Sequence, residues 1–173
     1  GYRDQPRETA AAFDEEGYYR IGDAGRLVDE QRPERGIVFD GRVAEDFKLG
    51  SGTWVSVGPL RIELVSQLAP WVQDLVIAGH DREAVGLLVF ASPQGAAAPD
   101  QLAEALRTVL RRRRDEGLGS ARCPSCALVL DTPPHADSGE ITDKGYINQR
   151  AVLARRAEAV ARLYDEQDAA VIR

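Results

Sequence analysis

Two apolar runs joined by a short polar turn set the strongest constraint on the fold. Val72 to Ala78 and Val85 to Ala91 read as strands, and Gly79-His80-Asp81-Arg82 between them reads as a hairpin turn. Just before them, Pro59 suits a first helical turn, and Leu60, Leu64, Leu68 and Trp71 recur every three or four residues, the mark of an amphipathic helix. After them, Gly95 to Ala98 reads as a short loop. Pro99 and Asp100 then open a helix that carries Leu102, Leu106, Val109 and Leu110 on one stripe and ends near Arg114. Ala127 to Leu130 is a further strand. A long polar loop with Pro133, Pro134, Ser138 and Gly139 follows, and then a last helix with Leu153, Ala157, Val160 and Tyr164 on one face. Upstream, Gly36 to Asp40, Phe47 to Leu49 and the β-branched, aromatic Thr53 to Val57 read as strands, the last two joined by Gly50-Ser51-Gly52. This order predicts a small α/β (α+β) domain, one sheet with helices packed on it.

Residues 1 to about 35 differ. They are polar and turn-rich, with short extended pieces at Tyr18 to Ile21 and Gly25 to Val28, and they hold too few apolar residues for a core. They read as the trailing edge of something larger. The chain has 173 residues, lacks methionine and opens at Gly1-Tyr2, so a piece excised from a longer protein is expected.

Charge narrows the function. A formal net charge of -6 argues against a nucleic-acid partner. The single basic block, Arg111 to Arg114, falls at the end of the predicted helix, where cations complement the dipole. No apolar stretch approaches the ~18 residues of a membrane helix, and no signal peptide is visible. A cytoplasmic protein with no membrane partner is expected. Cys123 and Cys126 form a CxxC, but neither His80 nor His135 completes a standard metal spacing, and Cys126 leads into a strand rather than a helix. Two reduced structural thiols are expected, with no metal site.

The chain contains 20 arginines but only two lysines, Lys48 and Lys144. Lysine is a compact, rotatable point charge, whereas arginine is a planar fork. Lys48 lies in Gly41-Arg42-Val43-Ala44-Glu45-Asp46-Phe47-Lys48, and Lys144 in Gly139-Glu140-Ile141-Thr142-Asp143-Lys144-Gly145. Earlier stands Tyr19-Arg20-Ile21-Gly22-Asp23. An aspartate after glycine serves tight turns in its own right; the alternative is a ligand role, in which an ionised carboxylate offers two acceptor oxygens to the paired donors of a ribose diol and the glycine lets backbone approach. Arg42 and Lys48 would present two cations to the ribose-phosphate region of a nucleotide.

The order Tyr-Arg-Ile-Gly-Asp, Gly-Arg-Val, and a lysine after Ser-Gly-Glu resembles the C-terminal part of the adenylate-forming ligases. These include acyl-CoA and aryl-CoA ligases, luciferases and peptide-synthetase adenylation domains. The stretches around Asp46 to Leu49, Gly52 to Val55 and Gly139 to Arg150 are most similar to feruloyl-CoA synthetases. The resemblance implies that ATP, with Mg2+, and a carboxylic acid give an acyl-adenylate, and that coenzyme A thiol then displaces AMP. It implies that residues 1–40 end a large N-terminal domain and that residues 41–173 form the small, mobile lid. The rest of the large domain, with the phosphate loop and acyl pocket, would be the missing partner. Asp23 matches the ribose aspartate, Arg42 the arginine at the domain junction, Lys144 the adenylation lysine, and Lys48 a lysine placed near the nucleotide. The chemistry suits Lys144, because an ammonium can bridge the carboxylate and α-phosphate oxygens as they crowd together. Gly139 and Gly145 fit a mobile loop around it.

Two departures stand out. The family's hinge position is Ala44, followed by Glu45, instead of an aspartate or lysine. More residues than usual separate the loop glycine from Lys144. Two other functions fit the same motifs: an adenylating enzyme that loads a carrier protein or reductase, and a non-catalytic binding module with the lid fold.

Overall fold

A computed structural model describes residues 1–173, apart from the side chain of Asp40. The chain divides into two compact units, Gly1–Ala44 and Glu45–Arg173.

In the first unit, Pro6 begins helix α1 (Pro6–Ala11), which was expected to be a turn-rich tail. Proline's fixed φ and missing N–H suit that first position, and this outweighs the polar composition. Strand β1 (Asp23–Leu27) pairs antiparallel with β2 (Ile37–Arg42). The extended piece at Tyr18 to Ile21 makes only one bridge, Phe13 to Tyr19, with an edge-on ring contact at 5.5 Å. No large side chain is buried among the described residues of this unit; Ile37 and Phe39 of β2 are exposed.

The second unit begins with a two-residue-deep hairpin, β3 (Phe47–Lys48) and β4 (Trp54–Val55). The strand expected through Val57 stops early because Val57 opens helix α2 (Val57–Leu68). Asp46 Oδ1 accepts the Val57 N–H at 2.9 Å, so a carboxylate eleven residues back satisfies an orphan donor at the helix start. Val57, Leu60, Leu64 and Leu68 form the buried face of α2.

The expected hairpin forms as β5 (Val72–Ala78) and β6 (Gly86–Ala91), with Leu75 opposite Val89 and Ile77 opposite Leu87. The expected loop after β6 contains a short helix, α3 (Pro93–Ala97), capped by Ser92, whose Oγ accepts the Gly95 N–H at 3.0 Å. Helix α4 (Pro99–Asp115) then crosses to β7 (Cys126–Val129), which lies parallel to β6. The sheet order is β5-β6-β7.

Successive strand residues point to opposite faces. Leu75, Ile77, Leu87 and Val89 pack with α2 and α4, whereas Val76, Leu88 and Phe90 pack with Val152 and Leu163 of the C-terminal helices. Both faces are covered, which is why Leu75 to Ala78 of β5 and the whole of β6 are apolar.

Two expectations change here. The last helix is broken into α5 (Gln149–Arg155) and α6 (Ala157–Leu163), with Arg156 at φ -104°, ψ 37° between them. Its fully buried anchors are Val152 and Leu163. Gln149 is also buried: its amide accepts the Ile77 N–H at 3.1 Å and donates to Ile77 O at 2.6 Å, serving the free edge of β5 as a neighbouring strand would.

The basic block at the end of α4 is not uniformly a solvated face either. Arg113 falls on the stripe of Leu106, Val109 and Leu110 and is fully buried. It donates to Arg122 O at 2.8 Å, Glu63 Oε1 at 2.9 Å and Gln67 Oε1 at 3.1 Å. The bond from Arg113, with a second from Arg122 Nη2 at 3.0 Å, holds the Glu63 carboxyl below its ordinary range. No helix among the described residues is long and apolar enough to cross a membrane.

Candidate functional site

Asp23 opens β1 and Arg42 closes β2, and the register sets them opposite each other. Between Gly25↔Phe39 and Asp23↔Arg42, β1 advances two residues and β2 three. The extra residue is a bulge, and Gly41 at φ +90° supplies the left-handed backbone it needs. Arg42 Nε consequently lies 3.6 Å from Asp23 Oδ1, while the Val43 N–H binds Gly22 O at 3.0 Å. Both side chains are substantially exposed, so this contact adds little to stability. Its consequence is geometric: a carboxylate and a guanidinium side by side at one end of a two-stranded ribbon.

Ala44 and Glu45 lie in the turn that follows Arg42, and the division between the two compact units falls between them. Lys48 lies on β3, opposite Trp54 of β4. Its carbonyl accepts the Asp81 N–H at 3.1 Å, which ties β3 to the β5–β6 turn, and its ammonium is exposed.

Lys144 occupies the tip of a small hairpin. Ile141 bridges Ile147, Thr142 N–H donates to Tyr146 O at 2.8 Å, and Gly145 N–H donates to Thr142 O at 2.9 Å. Gly145 has φ +82°, which makes the tip a three-residue turn closed by a left-handed glycine. Gly139 has φ +75°. These two glycines therefore set turn geometry on either side of Lys144. Lys144 and the neighbouring Tyr146 are exposed, whereas Ile147 is buried.

The base of this hairpin holds the residues that sequence reasoning missed. The Glu140 side chain is only 3% exposed, and its carboxylate accepts Arg156 Nε and Nη2, each at 2.8 Å. It also accepts the His135 N–H at 2.9 Å. The bonds from Arg156, with that backbone donor, outweigh burial and hold the Glu140 carboxyl at about 2. Arg156 further donates to Thr132 O and Oγ1 at 3.0 and 2.9 Å and to Pro133 O at 2.8 Å. Its guanidinium lies 5.1 Å from the centre of the Phe90 ring. An open depression of about 610 Å³ beside this cluster is lined by Thr132, His135, Ser138 and Arg155, among others. The only sequence signal for Glu140 was its place after Gly139 in a segment already singled out. Arg156 gave no signal apart from its charge on a helix.

The four candidate residues are thus divided between the units, Asp23 and Arg42 in the first, Lys48 and Lys144 in the second. Cys126 is buried, and burial pushes its thiol up, away from the reactive thiolate. No group of three or more His, Cys, Asp or Glu that could hold a metal ion occurs among the described residues.

Comparison with known proteins places this arrangement. Residues 52–168 match the family described as AMP-binding enzyme C-terminal domain. Carboxylic acid reductase from Segniliparus rugosus is 29% identical over 169 residues, which cover 95% of this chain and 14% of the relative. A chloroplastic long-chain-fatty-acid–acyl-carrier-protein ligase from Arabidopsis thaliana is 24% identical over 173 residues, covering 95% of this chain and 24% of the relative. The chain thus spans a quarter or less of the length of these relatives. Among solved structures, the A domain of the Segniliparus rugosus reductase, in complex with AMP and a co-purified carboxylic acid, superposes with a TM-score of 0.76 at 26% identity, over 95% of this chain and 26% of that one. The adenylation domain of a Mycobacterium chelonae carboxylate reductase gives a TM-score of 0.78 at 24% identity, over 96% and 26%, a likeness of fold. Because the match takes in the sheet, its helices and the Lys144 hairpin, this chain belongs to the AMP-binding enzyme C-terminal domain family, the C-terminal domain of adenylate-forming enzymes.

Proposed function

We propose that this chain is the C-terminal portion of an acid–thiol ligase, with the Gly1–Ala44 unit completing a large ATP-binding domain and the Glu45–Arg173 unit acting as its mobile lid. In the first step a carboxylate oxygen attacks the α-phosphorus of ATP, taken as its Mg2+ complex, and pyrophosphate leaves. In the second a thiol attacks the acyl carbon, the thiol proton is lost, and AMP departs as the thioester forms. The observation that carries this reading is Lys144, a solvent-facing ammonium on a hairpin whose base is fixed in the domain core.

Asp23 would accept the two ribose hydroxyls, with Arg42 beside it on the phosphate side. Lys48 would approach the nucleotide from the lid. Lys144 would bridge carboxylate and α-phosphate oxygens in the adenylation transition state. It must then withdraw to admit the thiol, by rotation of the lid about Ala44 and Glu45.

For the acceptor, the Gly139 to Arg150 segment supports coenzyme A, with an aromatic, hydroxycinnamate-like acid such as ferulate as substrate. A second reading, a carrier-protein thiol feeding a reductase, is supported by the relatives, which are named as carboxylic acid reductases and an acyl-carrier-protein ligase. The test uses the enzyme that contains this chain. Lys144→Ala is expected to abolish acid-dependent ATP–pyrophosphate exchange while still converting a supplied acyl-adenylate to thioester. Equal loss of both half-reactions refutes the role of Lys144. Supplying the acyl-adenylate with coenzyme A or with a phosphopantetheinylated carrier identifies the acceptor. An enzyme that makes no acyl-adenylate from any acid would leave only a binding module.

A further inference from the structure

We infer that the buried Glu140–Arg156 pair is the positioning device for Lys144, setting where its ammonium arrives when the lid closes. This inference rests on the adenylation role proposed for Lys144. Its grounds are the connections between the pair and the hairpin.

Lys144 is exposed, so packing does not place it; the hairpin must. That hairpin has two short arms, and its first arm starts at Glu140. The Glu140 carbonyl accepts the Asn148 N–H at 2.8 Å, which closes the base of the hairpin. Asn148 in turn caps α5, its side chain accepting the Ala151 N–H at 3.2 Å. Below that rung, the Glu140 carboxylate is gripped by Arg156 from the break between α5 and α6. Arg156 spends its remaining donors on Thr132 and Pro133, where the long loop leaves the sheet. One guanidinium therefore holds Thr132 and Pro133 at a fixed spacing from Glu140, the residue that starts the hairpin, and lies against Phe90 of β6.

The residue types fit this task. Five N–H donors in a rigid plane meet five acceptor contacts, an arrangement that a lysine's single ammonium cannot reproduce. A carboxylate that accepts three donors is fixed in rotation as well as in place. A displacement of about 1 Å in a catalytic group can cost about 100-fold in rate, so a rigid base matters to a cation carried on a short arm.

The test compares half-reactions in the enzyme containing this chain. Glu140→Gln removes the charge and keeps the shape; Arg156→Lys keeps the charge and loses the fork. Each is expected to lower ATP–pyrophosphate exchange about 10- to 100-fold. Each is expected to leave conversion of a supplied acyl-adenylate to thioester unchanged. In a Lys144→Ala background, Glu140→Gln should add nothing further, because the group it positions is gone. Hydrogen exchange supplies a readout independent of activity: the Gly145 and Asn148 amides should lose protection while Leu88 and Phe90 keep theirs. If Lys144→Ala leaves adenylation intact, the underlying reading of Lys144 fails. If Lys144→Ala abolishes adenylation but neither Glu140→Gln nor Arg156→Lys lowers it, the positioning inference alone fails. It fails equally if both half-reactions fall together or if the Leu88 and Phe90 amides open as well, since the pair is then only a brace for the fold.

Discussion

Glu140→Gln should also change stability, with a dependence on pH that can be worked from the structure. The Glu140 carboxyl is held at about 2 against an ordinary value of 4.5, chiefly by Arg156 and then by the His135 N–H. By linkage that difference corresponds to about 3 kcal/mol of native stability at neutral pH. The direct cost of breaking a buried ion pair, about 3–5 kcal/mol, gives the same scale. A carboxyl lowered by folding contributes fully above its unfolded value of 4.5 and loses that contribution as pH falls towards about 2. Glutamine does not titrate there. Urea denaturation of both forms at intervals from pH 7 to pH 3 should show a gap of about 3 kcal/mol that is flat down to pH 5. Below that it should shrink by up to about 1.4 kcal/mol per pH unit. The neighbouring charged groups Arg155 and Asp137 are common to both proteins and largely cancel in the difference, whereas His135 acts on the Glu140 carboxyl itself. A gap that does not move between pH 5 and pH 3, or one under about 1 kcal/mol at pH 7, would show that Glu140 is held by shape and not by charge.

Other perturbations test other parts of the fold. Arg113→Ala should destabilise the chain by about 3 kcal/mol or more in denaturant, because it opens a cavity and strips Glu63 of its buried partner. Arg113→Met, which fills the space but also removes the ion pair, should cost less, and equal costs would mean that the lost charge network and not the cavity carries the effect. Gly145→Ala should cost about 1 kcal/mol, since φ +82° strains any side chain there, whereas no atom crowds the position. In alkylation of the native chain, Cys123 should react before Cys126, whose thiol burial protects; the two should become equivalent in denaturant.

The strands and most of the helices were legible because their patterns have mechanisms. The apolar residues at Leu75 to Ala78 and Val85 to Ala91 marked two strands, and the structure covers both faces of the sheet they form. Helix α2 began earlier than its proline because Asp46 caps it from outside the local window. The break at Arg156 was not legible either, since its cause is a set of partners up to 24 residues away. Arg113 gave the converse error. Helical spacing from Val109 and Leu110 puts Arg113, alone of the four arginines, on the buried stripe, but its partner Glu63 lies 50 residues earlier and was not legible.

For the candidate site, the sequence alone nominated Asp23, Arg42, Lys48 and Lys144, because they stand in ordered motifs that resemble those of the adenylate-forming ligases. Only the tertiary structure decided how they are held. The bulge at Gly41 brings Asp23 and Arg42 together, and the left-handed Gly145 closes the tip that carries Lys144. The Glu140–Arg156 pair fastens that tip to the core. Motifs record which group must meet a substrate, because that is local chemistry. The supports of such a group are recruited from wherever the chain passes, so their identity is settled only when distant segments pack.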